Sequence, residues 1–281
     1  LAHSFEMKMD TNRFIRGNYS CETKQAKANL IIAHGYKGFK DWGMFPYVAE
    51  KFASYYNVFT FNFSHNGIGE NFFEFTQLEH FASNTYEKEL EDLAFLVQNI
   101  KKNNVEQVDI DPALPLFLLG HSKGAGTSLI YTFEHPTEVD GVISWNGITN
   151  VDLFTTEQKQ QMRENGISFV LNGRTGEQMP LNKVILEDMD KNKAKYDILD
   201  RVQHNHVPII VIEGTMDGEH LIKGNDKLCT QSPSVQKVMV QGGNHTFGAV
   251  HPFQGTTEYL ESALGHSVAF MEQQITDIVS R

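Results

Sequence analysis

Gly120-His121-Ser122-Lys123-Gly124 decides how this chain is read. It fits G-x-S-x-G, the pattern of a nucleophile elbow, in which a strand turns sharply into a helix and holds a serine at the turn. The surroundings supply both halves of that context. Leu114 to Leu119 is a short apolar run that reads as a buried strand, and Lys123 to Glu134 reads as a helix. A serine at that junction projects its hydroxyl from the carboxyl edge of a sheet. The flanking glycines let strand and helix approach where a Cβ would clash.

Outward from the elbow, short apolar runs alternate with amphipathic ones. Leu30 to Ala33, Val58 to Phe63, Gly141 to Trp145, Val207 to Ile212 and Val235 to Val240 read as strands. Asn84 to Lys101 reads as a helix, because Leu90, Leu93, Ala94, Val97 and Ile100 recur at helical spacing. Asn84 with Glu87 resembles a capping box at its start. Thr257 to Ser280 reads as a long closing helix. This alternation predicts an α/β fold with a mainly parallel sheet flanked by helices. One segment breaks the rhythm. Asn146 to His206 shows no sheet strand and two helical stretches, Phe154 to Asn165 and Lys183 to Lys193. A structureless connection of this length is uncommon inside a domain. Residues 147–206 are therefore expected to form an inserted cap, with 1–146 and 207–281 as the core.

Bulk properties narrow the function. The chain has 281 residues, 40% of them hydrophobic, enough for a sizeable core. Its net charge of −11 and pI of about 5.5 argue against nucleic acid as a partner. No run approaches the roughly 18 apolar residues of a membrane-spanning helix. Leu1 to Asp10 lacks a basic stretch followed by an apolar one, so it does not read as a signal peptide, and a start at leucine points to a trimmed or processed chain. Cys21 and Cys229 form no metal spacing and no disulfide framework, which favours a reducing compartment, the cytoplasm. His204 and His206 form an H-x-H without a third ligand, so no metal is expected.

A serine hydroxyl is a weak nucleophile and needs a base, an orienter for that base and donors for the oxyanion. Asp217 lies in Glu213-Gly214-Thr215-Met216-Asp217-Gly218, just past a strand, and is the candidate acid. Glu213, Glu219 and Asp152 are its rivals. His245, in Gly242-Gly243-Asn244-His245-Thr246-Phe247, follows the last strand and is the candidate base. Its rival His251 precedes a proline and suits a turn. The oxyanion donors are the backbone N–H groups of Lys123, directly after the serine, and of Tyr36, in His34-Gly35-Tyr36-Lys37-Gly38 after an early strand.

Those four motifs together resemble the α/β-hydrolase superfamily, over roughly Asn29 to the C-terminus. Within it the chain is most similar to the dienelactone-hydrolase-like, serine-aminopeptidase-like and cinnamoyl (feruloyl) esterase group. Asn172-Gly173-Arg174-Thr175-Gly176-Glu177-Gln178-Met179-Pro180-Leu181 adds to that similarity. The resemblance implies hydrolysis of a small-molecule ester through an acyl-enzyme, without a cofactor. True dienelactone hydrolases carry cysteine as the nucleophile, and this chain has Ser122 there. A peptidase of aminopeptidase type and a non-catalytic binding protein are the alternatives.

The segment from 58 to 81 is rich in phenylalanine. Phe59, Phe61 and Phe63 are expected in the core. Phe72 and Phe73, with His34 and Trp145, are the candidate substrate-contacting residues. Ser64 and His65 are placed to brace the 34–38 loop.

Overall fold

Asn29–Ala33, strand β3, is buried at every position, so alternate side chains must be covered on both faces of the sheet. The computed structural model describes residues 2–280 and shows how that is done. The other strands are β1 His3–Asp10, β2 Arg13–Ser20, β4 Asn57–Asn62, β5 Leu116–His121, β6 Gly141–Trp145, β7 Ile167–Leu171, β8 Gln178–Asn182, β9 Ile209–Gly214 and β10 Val235–Val240. The helices are α1 Phe45–Ala53, α2 Leu78–Ala82, α3 Tyr86–Lys101, α4 Lys123–Glu134, α5 Thr156–Asn165, α6 Val184–Lys191, α7 Ile198–Arg201, α8 Glu219–Gln231 and α9 Glu258–Val279.

Eight strands form one sheet in the order β1-β2-β4-β3-β5-β6-β9-β10. Pairing is parallel from β4 to β10, whereas β2 runs antiparallel to β1 and β4. Ile31, Phe59, Leu118 and Val142 point to one face, where α3 and α4 supply Leu93, Leu96, Leu129 and Ile130. Leu30, Val58, Phe117 and Ile143 point to the other, against Val48 and Phe52 of α1 and Leu260 and Met271 of α9. Phe59, Phe61 and Phe63 are core residues, as expected.

The chain leaves β3 for β4 on one side and pairs β3 with β5 on the other. Connections that diverge in this way open a crevice at the carboxyl ends of the strands. The 34–38 loop follows β3 and Ser122 follows β5, so both stand at that crevice.

Residues 147–206 contribute nothing to the main sheet, in line with the sequence. The polar stretch does contain a separate antiparallel hairpin, β7 with β8, which the periodicity does not reveal. The hairpin and α6 pack on the rest through Met179, Leu181, Ile185 and Leu186 against Phe39, Ile68, Phe75 and Phe81. Further on, Ile198 and Val202 return into the core face that holds α4. Helix α3 starts one residue later than the capping-box reading places it. Thr85 is the N-cap, its side chain accepting from the Lys88 amide, which frees Asn84 to reach Glu89. No helix among the described residues is long and apolar enough to cross a membrane.

Candidate active site

Ser122 sits between β5 and α4 with φ 56° and ψ −118°. A non-glycine residue holds such a backbone only when its surroundings fix it. Here the Ser122 amide donates to Trp145 O at 3.0 Å, and its carbonyl accepts from the Ile148 amide at 3.1 Å. The glycines of the elbow make the turn possible. A Cβ on Gly124 would fall on the carbonyl oxygens of Ala33 and His34, and one on Gly120 would fall on the Ala125 backbone. Gly35 is less confined but still tight, since its Cβ would lie 3.1 Å from that of Ser122. The 34–38 loop is thus pressed directly against the serine.

The structure brings Asp217 and His245 to Ser122. His245 Nε2 lies 3.0 Å from Ser122 Oγ, and His245 Nδ1 lies 2.8 Å from Asp217 Oδ1. With the proton on Nδ1 donated to the carboxylate, Nε2 is left to accept from the serine hydroxyl. The Asp217 side chain is 2% exposed and that of His245 40%. Asp217 Oδ1 also accepts from the Gly218 amide at 2.7 Å. The rival residues are committed elsewhere. Glu213 is buried, accepting from Asn225 and paired with Lys237; Asp152 pairs with Lys159; His251 Nδ1 accepts from the Gly43 amide. Glu219 stands on the surface, paired with Lys223.

The backbone N–H groups of Tyr36 and Lys123 donate to no acceptor among the described residues. Lys123 is the first residue of α4, where the helix leaves amides unpaired and adds a partial positive charge. Its side chain is buried, with Nζ 2.8 Å from Glu89 Oε1, and Thr127 donates to the other Glu89 oxygen. A groove of about 200 Å³ lies over the serine, lined by Tyr36, Lys37, Trp42, Phe45, Ser122 and His245 among others.

Two histidines act as structural braces. His121 Nε2 donates to His245 O at 2.8 Å, which anchors the loop carrying His245. His34 Nδ1 donates to Gly35 O at 2.9 Å while Nε2 accepts from the Phe63 amide at 3.2 Å, so both ring nitrogens serve the backbone. That corrects the expectation that His34 contacts substrate: it is buried and fully engaged. Trp145 needs the same correction. It lies in the core against Phe247 and donates to Ser267 Oγ, because its place on β6 turns it away from the crevice. Phe72 lies under the Lys40 ammonium, and Phe73 is 61% exposed; neither lines the groove over Ser122. Bracing of the 34–38 loop comes from Phe63 and from Asn66, which donates to Gly38 O, whereas Ser64 and His65 bond each other, with Ser64 also joined to Arg13 and Asp92.

Burial pushes the His34 pKa down to about 4 and that of His121 to about 3, outweighing the opposing pull of Gly35 O and Glu89 on His34 and of His245 O and Asp217 on His121. Unfolded, both titrate near 6.5. Below that pH the unfolded chain binds two protons that the folded chain refuses, so stability falls as pH drops from about 6.5 towards 4. With a slope of up to about 1.4 kcal/mol per pH unit for each group, the pair predicts a loss of about 3 kcal/mol between pH 6.5 and 5. Urea unfolding at both pH values checks this, and equal midpoints would refute it.

Asn146 is the residue that sequence reasoning missed. Fully buried at φ 47°, it directly follows β6. Its Nδ2 donates to His245 O at 2.8 Å and to Asn244 O at 3.2 Å, and its Oδ1 accepts from the Gly214 amide at 2.8 Å. One side chain thus ties the strand end before Asp217 to the loop carrying His245. Asn146→Ala is expected to cost about 2–3 kcal/mol, from the buried groups left unpaired. It should also lower kcat about 10- to 100-fold by loosening His245. Wild-type kcat in a folded variant would rule out this coupling.

Comparison with known proteins adds the relatives. The family described as serine aminopeptidase, S33 (Hydrolase_4) matches over residues 24–196, which includes the 34–38 loop and Ser122 but not Asp217 or His245. A monoglyceride lipase homolog of monkeypox virus is 27% identical over 141 residues, half of this chain and 46% of that protein, so the match spans about half the length of the relative. Among solved structures, Est1E from Butyrivibrio proteoclasticus aligns with a TM-score of 0.70 at 15% identity, covering 97% of this chain and 100% of that one. A soluble variant of monoglyceride lipase from Saccharomyces cerevisiae aligns with a TM-score of 0.68 at 14% identity, covering 98% and 95%. These likenesses show the α/β-hydrolase fold that the sequence motifs implied.

Proposed function

The chain belongs to the serine aminopeptidase S33 family, Hydrolase_4, and from that premise we propose that it is a serine hydrolase cleaving carboxylic esters through an acyl-enzyme. The observation that carries the proposal is the unbroken line Asp217–His245–Ser122, at 2.8 and 3.0 Å, beside two unengaged amides. Ser122 Oγ attacks the ester carbonyl and His245 Nε2 takes its proton. The Asp217 carboxylate holds Nδ1–H and stabilises the imidazolium. The oxyanion accepts from the Tyr36 and Lys123 amides. As the intermediate collapses, the C–O bond to the leaving alcohol breaks and His245 protonates that oxygen. Water then attacks the acyl-serine, gives its proton to His245, and Ser122 leaves protonated with a free acid as product.

Tyr36, Trp42 and Phe45 favour an apolar substrate, such as a short-acyl or hydroxycinnamate-type ester. The groove is lined by no Asp or Glu among the described residues, so it lacks a partner for a free amino terminus, which weighs against aminopeptidase action. We read residues 147–206 as the cap. Its hairpin is latched to the oxyanion loop where Lys37 Nζ donates to Leu171 O at 3.1 Å. The charge and free cysteines fit a cytoplasmic enzyme acting on a small molecule.

The test is a panel of p-nitrophenyl acetate, butyrate and octanoate, methyl ferulate and aminoacyl-p-nitroanilides. Ester turnover is expected, ranked by acyl length. Turnover of the anilides alone would replace the esterase reading with the peptidase one, and an inert Ser122 towards a fluorophosphonate would favour a binding protein.

A further inference from the structure

Tyr36 borders two spaces. One is the groove over Ser122, and the other is a partly enclosed space of about 20 Å³ between the core and the 147–206 segment. Phe81, Leu153, Phe154, Leu181 and Ile185 make the walls of the void mainly apolar. Two polar atoms of its lining residues are buried without a hydrogen-bond partner: the Tyr36 hydroxyl and Asn84 Oδ1. Buried polar atoms in native folds nearly always have a partner in protein, water or ligand. Both are held in place. Asn84 Nδ2 donates to Glu89 Oε1 at 3.0 Å, which leaves Oδ1 as the free acceptor. The Tyr36 ring stacks on Phe81 with centroids 5.9 Å apart and meets Phe154 edge-on at 6.4 Å.

The chemistry of these groups selects the ligand. Lys123 also lines the void, but Glu89 neutralises it at 2.8 Å, so no net charge is on offer. A carboxylate cannot donate to Asn84 Oδ1 and would sit beside the Glu89 carboxylate. An ammonium would stand against Lys123 within apolar walls. A ketone accepts from Tyr36 and leaves Asn84 unpaired. A hydroxyl is able both to accept from the Tyr36 O–H and to donate to Asn84 Oδ1, and about 20 Å³ holds one such group.

We infer that this void is the polar end of the acyl site and takes the hydroxyl of a short hydroxyacyl ester, with Tyr36 and Asn84 setting that preference. The inference rests on the ester-hydrolase reading above.

The test compares kcat/KM for p-nitrophenyl esters in isosteric pairs: 3-hydroxybutanoate with 3-methylbutanoate, and 2-hydroxybutanoate with 2-methylbutanoate, with butanoate as reference. Sites built to bond a hydroxyl reject the analogue that lacks it by large factors. The wild type is expected to favour the hydroxyl member of at least one pair about tenfold or more. Tyr36→Phe and Asn84→Leu should each cut that ratio to below about threefold; Asn84 also holds Glu89, so Tyr36→Phe decides if Asn84→Leu does not fold. Butanoate turnover with equal rates within both pairs, or a hydroxyl preference that survives Tyr36→Phe, overturns this inference alone. No turnover of any ester, with Ser122 unlabelled by fluorophosphonate, overturns the hydrolase reading and this inference with it.

Discussion

Ser122→Ala is expected to lower kcat on p-nitrophenyl esters by about 10⁵- to 10⁶-fold, leaving only what binding and the free amides supply. The fold should survive. Ser122 Oγ makes one hydrogen bond, to His245, while the strained turn is held by its amide and carbonyl, which alanine keeps. Alanine meets the same positive φ as serine, so no new backbone strain enters. The readouts are initial rates, fluorophosphonate labelling followed by intact mass, and thermal unfolding. A folded variant that retains more than about 1% of wild-type kcat would dismiss Ser122 as the nucleophile, because loss of an attacking atom leaves far less.

Asp217→Asn tests charge almost separately from shape. In the wild type a single oxygen, Oδ1, accepts from both His245 and the Gly218 amide, and Oδ2 is buried without a partner. An asparagine can keep that oxygen in place and put its amide where Oδ2 was. The backbone turn is then preserved, but the negative charge that stabilises the imidazolium is gone. The expected loss is about 10⁴-fold in kcat with little change in KM. A loss below about tenfold would remove Asp217 as the orienter of His245. The competing carboxylates would not rescue it, since Glu213 and Asp152 are held by Lys237 and Lys159.

How much of this was legible in the sequence depended on where the information lay. Helix α4 and strands β6 and β10 stand where the apolar pattern placed them: β6 is buried on both faces, whereas β10, at the sheet's edge, is marked by its valines. The N-terminal hairpin of β1 and β2 left little trace. It is at the sheet's edge, and in β1 only Phe5 and Met7 are buried, between polar neighbours. In the candidate site, the order of serine, acid and base along the chain located three loops that meet. Side-chain direction at the strand ends was not legible. Trp145 and Asn146 are adjacent, yet one fills the core and the other clasps the base loop, a difference set by the parity of β6 rather than by residue type. The contacts of Glu89 with Lys123 and Thr127 and of Asn146 with His245 are distant in sequence, and no spacing rule exists for them.

The strand order has a consequence for the chain as it is made. Ser122 leaves the ribosome with β5, but Asp217 and His245 follow β9 and β10, which complete the far edge of the sheet. Until β9 and β10 dock, Ser122 has neither His245 nor Asp217 beside it, and on the proposed mechanism the nascent chain is silent towards esters. On the proposed mechanism, reactivity appears only once β10 and the His245 loop have been made, and gaining it reports that the sheet has closed in order.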